Sequence, residues 1–192
     1  MIKILFVCHG NICRSPMAEF VLKDMVKKAG VGEQFLIDSA AASREEIGNP
    51  IYGPAQRELT KHGIFNAFHR ARQITAADLS KYDRIYYMDS RNYTYLHRMF
   101  PDFSGFRQFL PYDVADPWYS GDFAQTWDDI ETGCRKFGAM LGDFAEIGCG
   151  SVLNPGTVIG KHSNVYPLSS VRTCVDPYSI YKKQGEVAQK TE

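Results

Sequence analysis

This 192-residue sequence lacks a net charge, a long apolar run and an export signal, three features that would each indicate a class of partner or a location. It has 22 basic and 22 acidic residues, so no net charge favours nucleic acid or an anionic membrane surface as a partner. No stretch approaches the roughly 20 apolar residues that a transmembrane helix needs. The apolar run after Met1 has only a strand's length and lacks the small-residue cleavage site of an export signal. We therefore expect a soluble, cytoplasmic protein that binds neither nucleic acid nor membrane.

The cysteines are odd in number and lack the paired spacing of a zinc site. They are Cys8, Cys13, Cys134, Cys149 and Cys174. In a cytoplasmic chain this pattern indicates reactive or buried thiols rather than a disulfide framework. We expect no metal ion, nucleotide or other cofactor.

Apolar and polar segments alternate as strands and helices over the first three quarters of the chain. Strands are predicted at residues 2–7, 35–37, 84–88 and 106–111, and helices at 16–30, 53–62, 89–99 and 122–141. This order predicts an α/β fold with a four-stranded parallel sheet flanked by helices. Ligands of such sheets bind beyond the carboxyl ends of the strands, which is where the segment after the first strand lies.

A six-residue period replaces this alternation from about residue 146. The aliphatic residues that begin each repeat are Ile147, Leu153, Ile159, Val165 and Val171. The segment IGCGSVLNPGTVIGKHSNVYPLSSV resembles the left-handed parallel β-helix of hexapeptide-repeat acyltransferases. We therefore predict a first domain at 1–145 and a tail of about two coils at 146–192.

The segment CHGNICRS, between the first strand and the first helix, has the residues that phosphate capture by a thiolate requires. Backbone N–H groups after Cys8 can surround three phosphate oxygens, and the positive end of the helix that starts near Ser15 favours both phosphate and thiolate. Arg14 offers a planar fork for two phosphate oxygens, and Ser15 can donate its hydroxyl to the sulfur. Gly10 and Asn11 tolerate the left-handed backbone of a tight loop.

A buried core cysteine and a surface arginine would be the alternative interpretation of Cys8 and Arg14 taken alone. The Gly10-Asn11 pair, the helix start at Ser15 and the preceding strand together favour the phosphate-binding loop. Cys13 lies in the same loop, as a packing residue or as the partner of Cys8 in a reversible disulfide.

The text VCHGNICRSPMAE resembles the signature of the low-molecular-weight protein tyrosine phosphatases. The likeness continues through DSAAASREEIGNP, HRARQIT, YYMD and DPWYSGD, and covers residues 1 to 142. It implies a fold of the phosphotyrosine phosphatase I type and hydrolysis of phosphotyrosine-type monoesters through a phosphocysteine. By this resemblance, Cys8 is the nucleophile, Arg14 the phosphate clamp and Asp116 the general acid.

The resemblance also implies supporting residues. Asn11, Ser15 and His69 correspond to the hydrogen-bonded group that holds the loop in shape, and Trp118 and Tyr119 to an aromatic wall beside the phenyl ring. The remaining predicted site residues are His9, Gly10, Ile12, Cys13 and Glu45. His9 stands where many relatives carry an apolar residue, and Glu45 replaces a rim aromatic, so we expect the rim to disfavour acidic peptides.

Reaction chemistry also indicates that Asp116 is a general acid, independently of the resemblance. A leaving phenolate needs a proton, and a carboxylic acid near a thiolate and a phosphate dianion can stay protonated at mildly acidic pH. Pro117 biases Asp116 toward extended backbone, although an Asp-Pro pair alone would indicate only an ordinary turn. In the second step, the same carboxylate can activate water against the phosphocysteine.

Two other classes of protein share parts of this pattern. An arsenate reductase needs two further relay cysteines, and none lies between Cys13 and Cys134. An acyltransferase of the hexapeptide class uses a histidine, and the tail offers only His162 on coils that bury too little to stand alone. The tail is instead expected to cap or oligomerise the phosphatase, or to be the vestige of a fused neighbour. The expected partner is a phosphotyrosine protein, for which the family suggests a tyrosine kinase of polysaccharide export.

Overall fold

The computed structural model describes residues 1–28, 30–65, 68–135, 140–141, 144–153, 157–171, 174–183 and 186–189. The chain divides into two compact units, Met1–Val26 with Gly32–Gly133 and Lys27–Val31 with Cys134–Glu192. This division lies between Gly133 and Cys134, ahead of the predicted domain boundary at residue 145. The predicted boundary stays a prediction. Within the described ranges, no helix combines the length and the apolar character that crossing a bilayer requires.

The first unit contains the predicted four-stranded parallel sheet, in the strand order β2-β1-β3-β4. Its strands are β1 (Ile2–Cys8), β2 (Phe35–Ala41), β3 (Arg84–Tyr87) and β4 (Phe106–Gln108). Its helices are α1 (Arg14–Lys28), α2 (Gly53–Lys61), α3 (Ala76–Lys81), α4 (Ser90–Met99), α5 (Pro117–Ser120) and α6 (Phe123–Arg135). The α/β prediction is confirmed.

Strand β1 lies inside the sheet, which explains its continuous apolar run. The segment from Ile4 to Val7 is buried because β2 and β3 pair with β1 on its two sides. Cys8 pairs with Ala41, and Val7 pairs with Tyr87, so the three strands end at the same edge. Cys8 is the last residue of β1, and the loop after it therefore lies at the carboxyl edge of the sheet.

The predicted extent of the last long helix was wrong. The helix was expected to continue to Leu141, but α6 ends at Arg135, and Met140–Leu141 forms a strand, β5, paired in parallel with Val158–Ile159. Leu141 stands one six-residue step before Ile147, so it belongs to the repeat pattern. Its backbone hydrogen bonds are satisfied by pairing between strands rather than by a helix.

The second unit consists mainly of very short strands. After β5 they are β6 (Glu146–Ile147), β7 (Val152–Leu153), β8 (Val158–Ile159), β9 (Asn164–Val165), β10 (Ser170–Val171), β11 (Cys174–Val175), β12 (Ser179–Lys183) and β13 (Glu186–Gln189). Ile147 pairs in parallel with Val165, and Leu153 with Val171, each three six-residue repeats further on. The buried core of this unit is formed by Ile159, Val165, Val171, Val175 and Tyr181. The predicted repeat residues thus supply most of its core.

Candidate active site

The sulfur of Cys8 lies between two hydrogen-bond donors. The backbone N–H of Asn11 donates to Cys8 Sγ at 3.3 Å, and Ser15 Oγ lies 3.0 Å from the same sulfur. Ser15 Oγ accepts a hydrogen bond from Asn11 Nδ2 at 2.9 Å, and its one proton has two acceptors within reach, the Ala40 carbonyl at 3.4 Å and the nearer sulfur, which attracts it more strongly as a thiolate. Both donors are placed to stabilise negative charge on Cys8.

Cys13, the second thiol of the loop, lies in a different electrostatic environment. Burial raises the pKa of Cys13, and the negative charges of Cys8 and Asp116 raise it further. Cys13 therefore stays a protonated thiol at neutral pH. Because the thiolate is the nucleophilic form of cysteine, Cys8 is the better candidate for attack on phosphorus.

The guanidinium of Arg14 is buried between two carboxylates. It donates through NH1 to Asp89 and to the carbonyl of Val114 at 3.3 Å, and through NH2 to Asp116 Oδ2 at 2.6 Å. Burial by itself lowers the pKa of Arg14, but the charges of Cys8, Asp116 and Asp89 outweigh it and raise that pKa. Arg14 is therefore a fixed cation beside the sulfur.

Asp89 is a site residue that the sequence reasoning missed. It precedes α4, and its Oδ1 accepts from the backbone N–H of Asn92 at 2.6 Å while Oδ2 binds Arg14. Its position in the sequence could have identified it. Asp89 follows β3 closely, at the sheet edge where β1 ends at Cys8. An acidic residue at that edge is a natural partner for Arg14.

Asn11 holds the loop in a left-handed conformation, with φ at 60°. Its Nδ2 donates to Ser15 and, at 2.8 Å, to Ser39, while its Oδ1 accepts from the backbone N–H of Arg72 at 3.1 Å. The carbonyl of Asn11 lies 2.7 Å from His69 Nε2, and a carbonyl can only accept, so His69 donates through Nε2. The structure thus joins Asn11, Ser15 and His69 in one hydrogen-bonded group that also contains Ser39 and Arg72.

The two added residues are themselves held by carboxylates. Ser39 Oγ donates to the buried Glu19 Oε2 at 2.6 Å. Arg72 lies between Asp78 Oδ2 and Asp38 Oδ2, each at 3.0 Å. Burial lowers the pKa of Arg72, but both carboxylates outweigh it and raise that pKa. The loop is therefore supported by a charged network distant in sequence.

A cavity of about 240 Å³ opens beside this loop. Ten predicted site residues line it: Cys8, His9, Gly10, Ile12, Cys13, Arg14, Glu45, Asp116, Trp118 and Tyr119. The other three, Asn11, Ser15 and His69, do not line it but make the hydrogen bonds described above. Lining residues that were not predicted are Glu46, Asp89, Arg91, Asn92 and Tyr95.

The loop side of the cavity rim combines charge with an unpredicted aromatic ring. His9 Nε2 lies 3.0 Å from Glu45 Oε2, and because a carboxylate only accepts, His9 donates to it. The ring of Tyr95 packs edge-on against His9 with centroids 5.2 Å apart. Gly10 leaves room for the Glu46 side chain, since a Cβ on it would lie 2.9 Å from Glu46 Cγ and force that side chain to shift.

Asp116 is fixed at the start of α5. Its Oδ1 accepts from the backbone N–H of Trp118 at 3.1 Å while Oδ2 binds Arg14. Its backbone is extended, as the following Pro117 predicts, and its side chain is 25% exposed. The carboxyl group therefore lies at the cavity with access to solvent, next to the exposed rings of Trp118 and Tyr119.

Comparisons with known proteins agree with this geometry. A family model described as low molecular weight phosphotyrosine protein phosphatase matches residues 3–145. The low molecular weight protein-tyrosine-phosphatase YfkJ of Bacillus subtilis is 39% identical over 150 residues, covering 73% of this chain and 96% of YfkJ. The human low molecular weight phosphotyrosine protein phosphatase is 37% identical over 149 residues, covering 70% of this chain and 92% of the human protein.

Solved structures give the same result. The crystal structure of YfkJ matches with a TM-score of 0.67 and 38% identity, covering 70% of this chain and 90% of YfkJ. The phosphatase SP-PTP of Streptococcus pyogenes matches with a TM-score of 0.65 and 40% identity, covering 70% of this chain and 89% of SP-PTP. The chain therefore belongs to the low-molecular-weight protein tyrosine phosphatase family and is a protein tyrosine phosphatase.

Proposed function

We propose that this phosphatase hydrolyses phosphotyrosine-type monoesters in two steps, through a phosphocysteine on Cys8. In the first step, the Cys8 thiolate attacks phosphorus and the bond between phosphorus and the tyrosine oxygen breaks. Asp116 gives its proton to that oxygen, and Arg14 holds two phosphoryl oxygens. The observation that carries the proposal is the sulfur of Cys8, with donors at 3.0 and 3.3 Å, in the same cavity as the buried Arg14.

In the second step, water attacks the phosphorus of the phosphocysteine. The Asp116 carboxylate takes a proton from that water, and the bond between sulfur and phosphorus breaks with the electron pair returning to Cys8. The hydroxyl of Ser15 supports this step by donating to the departing sulfur. The overall reaction converts the ester and water into a free tyrosine hydroxyl and inorganic phosphate.

Replacement of Asp116 by asparagine tests its role as general acid. Loss of a general acid lowers kcat by about 10²- to 10⁴-fold, and the loss grows with the basicity of the leaving group. We expect Asp116→Asn to reduce kcat/KM, which reports the step in which the leaving group departs, much more on phenyl phosphate than on p-nitrophenyl phosphate, whose leaving phenolate needs little protonation.

The matched control for this experiment is Asp113→Asn. Asp113 is exposed, precedes Asp116 in the same segment and accepts from the backbone N–H of Ser90 at 3.0 Å, but does not line the 240 Å³ cavity. Its replacement is expected to leave the ratio of the two rates unchanged. Equal losses of kcat/KM on both esters in Asp116→Asn would exclude proton transfer from Asp116 to the leaving oxygen.

The proposed substrate is a phosphotyrosine protein of the cytoplasm, with a tyrosine kinase of polysaccharide export as the first candidate. The exposed rings of Trp118 and Tyr119 beside the cavity suit an aromatic ester, and a thiol nucleophile works best in a reducing compartment. Among similar structures is Vibrio vulnificus Wzb in complex with benzylphosphonate, at 27% identity and a TM-score of 0.61. An Asp116→Ala variant used as a substrate trap, with mass spectrometry of the captured proteins, identifies the substrate.

For the second unit, we propose a short left-handed parallel β-helix of hexapeptide repeats that oligomerises the enzyme. Three residues with positive φ, Phe144, His162 and Tyr178, stack their rings with centroids 4.9 and 5.0 Å apart. This stacking supports coils that repeat in register. Leu168 is 85% exposed and Val152 is 57% exposed, which gives the unit an apolar outer surface.

A charge in the core of this unit tests the proposed role. Val171 is fully buried, so Val171→Asp introduces an uncompensated charge that costs several kcal/mol. We expect the full-length variant to be a monomer by light scattering and to keep the kcat/KM of the wild type on p-nitrophenyl phosphate. Ser170→Asp, on the exposed side of the same strand, is the control and is expected to keep the wild-type mass. A monomeric wild type would contradict the proposal.

A further inference from the structure

A second groove lies on the other side of Trp118 from the catalytic cavity. Trp118 lines both, so the two are neighbours that share one side chain. Tyr52 and Phe123 also line the groove, and the ring of Tyr52 lies 5.3 Å from Trp118 and 6.1 Å from Phe123. The groove therefore has an aromatic side that begins where the proposed phosphotyrosine pocket ends.

Two basic and two acidic residues line the groove, and Arg57 is the one among them that no carboxylate of the described residues contacts. Arg57 and Lys61 lie one turn apart on α2 and both line it. Lys61 is bound to the buried Glu58 Oε2 at 2.7 Å, and the other lining carboxylate, Asp122, accepts from a backbone N–H at the start of α6. In the part of the chain that the structure describes, no carboxylate pairs with Arg57, and its side chain is exposed.

Lys61 has a structural role, since it binds the buried Glu58 at the C-terminal end of α2, but the described contacts give Arg57 no such role. Like charges four residues apart destabilise a helix, so Arg57 and Lys61 together disfavour α2. Glu45 and Glu46 line the catalytic cavity and do not line the groove. A peptide bound across the site therefore meets Glu45 and Glu46 at the catalytic cavity and the exposed Arg57 in the groove that shares Trp118 with it.

We infer that this groove binds an acidic side chain that flanks the phosphotyrosine of the protein substrate, with Arg57 as its partner. The inference rests on the proposed hydrolysis of phosphotyrosine. An extended chain advances about 3.3–3.6 Å per residue, so a residue a few positions from the phosphotyrosine passes over Trp118 into the groove. The guanidinium of Arg57 matches a carboxylate with two parallel hydrogen bonds, and the aromatic side covers the peptide backbone.

A contact this far from the reacting phosphorus acts on substrate binding. It is made equally in the bound substrate and in the transition state, so it lowers KM and leaves kcat unchanged. Arg57 is therefore a specificity residue and not a catalytic one. The contribution of one exposed ion pair corresponds to about a three- to fivefold change in kcat/KM.

The test is a set of phosphotyrosine peptides in which one glutamate or one lysine is moved through the three positions on each side of the phosphotyrosine. The full-length wild type is expected to prefer glutamate, through a lower KM, at one or two adjacent positions on one side only. Arg57→Gln is expected to remove this preference, and Arg57→Glu to convert it into a preference for lysine at the same positions. Arg98→Glu, an equal charge change at an exposed site on α4 outside both cavities, keeps the wild-type profile.

Turnover of p-nitrophenyl phosphate, which has no flanking residue, tests the phosphatase mechanism separately from the groove. A wild-type profile without position dependence, or an Arg57→Glu profile identical to that of the wild type, overturns the groove assignment while the phosphatase mechanism stands. Failure of the mechanism itself is detected independently, by activity that survives the loss of Cys8.

Discussion

Cys8→Ser is expected to lower kcat on p-nitrophenyl phosphate and on phosphotyrosine by about 10⁴-fold or more, because a nucleophile is removed from a covalent mechanism. A serine hydroxyl is not ionised at neutral pH, and among the described residues no carboxylate or imidazole is hydrogen-bonded to the sulfur of Cys8. The groups that contact it, the Asn11 N–H and the Ser15 hydroxyl, are placed as donors to a negatively charged sulfur. They have no means of removing a proton from serine.

Cys13→Ser is the matched control for this variant, since it makes the same change in the same loop. Burial and neighbouring negative charge raise the pKa of Cys13 and keep it a neutral thiol, so its replacement removes no nucleophile. We expect a far smaller loss than in Cys8→Ser. Similar losses in both variants would mean that the loop tolerates no serine, and would remove the evidence for Cys8 as nucleophile.

The covalent intermediate provides a second readout for the same prediction. Acid quenching of the wild type during turnover should leave phosphate on the peptide that contains Cys8, and mass spectrometry locates it. Cys8→Ser should carry none. Phosphate found on another residue, or turnover without any phosphoenzyme, would contradict the two-step mechanism.

The sheet and the phosphate-binding loop could be predicted because their signals are local. A buried strand, a short loop and a helix start follow one another from Ile2 to Pro16, and each is readable from neighbouring residues. The core of the second unit was equally readable, because Val165 and Val171 recur with a fixed period. The end of α6 was misjudged because the spacing that continues its apolar face also places Leu141 on the six-residue repeat.

The support behind the loop was harder to predict because its contacts join residues far apart in sequence. The amide of Asn11 reaches Ser39 and the backbone of Arg72, and nothing near either residue indicates this pairing. Tyr95 packs on His9 from the first turns of α4, which only the tertiary arrangement reveals. Sequence periodicity defines which face is buried, and does not define which polar groups meet at the end of a sheet.

Arg14→Lys is the prediction with the second largest effect, a loss of about 10³-fold or more in kcat. The guanidinium of Arg14 contacts Asp89 through one nitrogen and Asp116 through the other, and its planar fork can hold two phosphoryl oxygens. A lysine ammonium is a single point of charge. It cannot bind both carboxylates and follow two oxygens into the transition state, so stabilisation of the transition state is lost although the charge is kept.

Stability and inhibitor binding separate this effect from a general loss of structure. A buried carboxylate without its full set of partners is expected to lower the free energy of unfolding in urea by about 2–3 kcal/mol, which leaves a folded protein to assay. Inorganic phosphate should inhibit the folded variant more weakly than the wild type, since the same fork binds it. Arg91→Lys, at an exposed rim residue whose guanidinium lies 5.8 Å from the ring of Tyr119, is the control and should change kcat only slightly. An Arg14→Lys enzyme within tenfold of the wild type would show that positive charge alone suffices, and that the two-pronged geometry has no catalytic part.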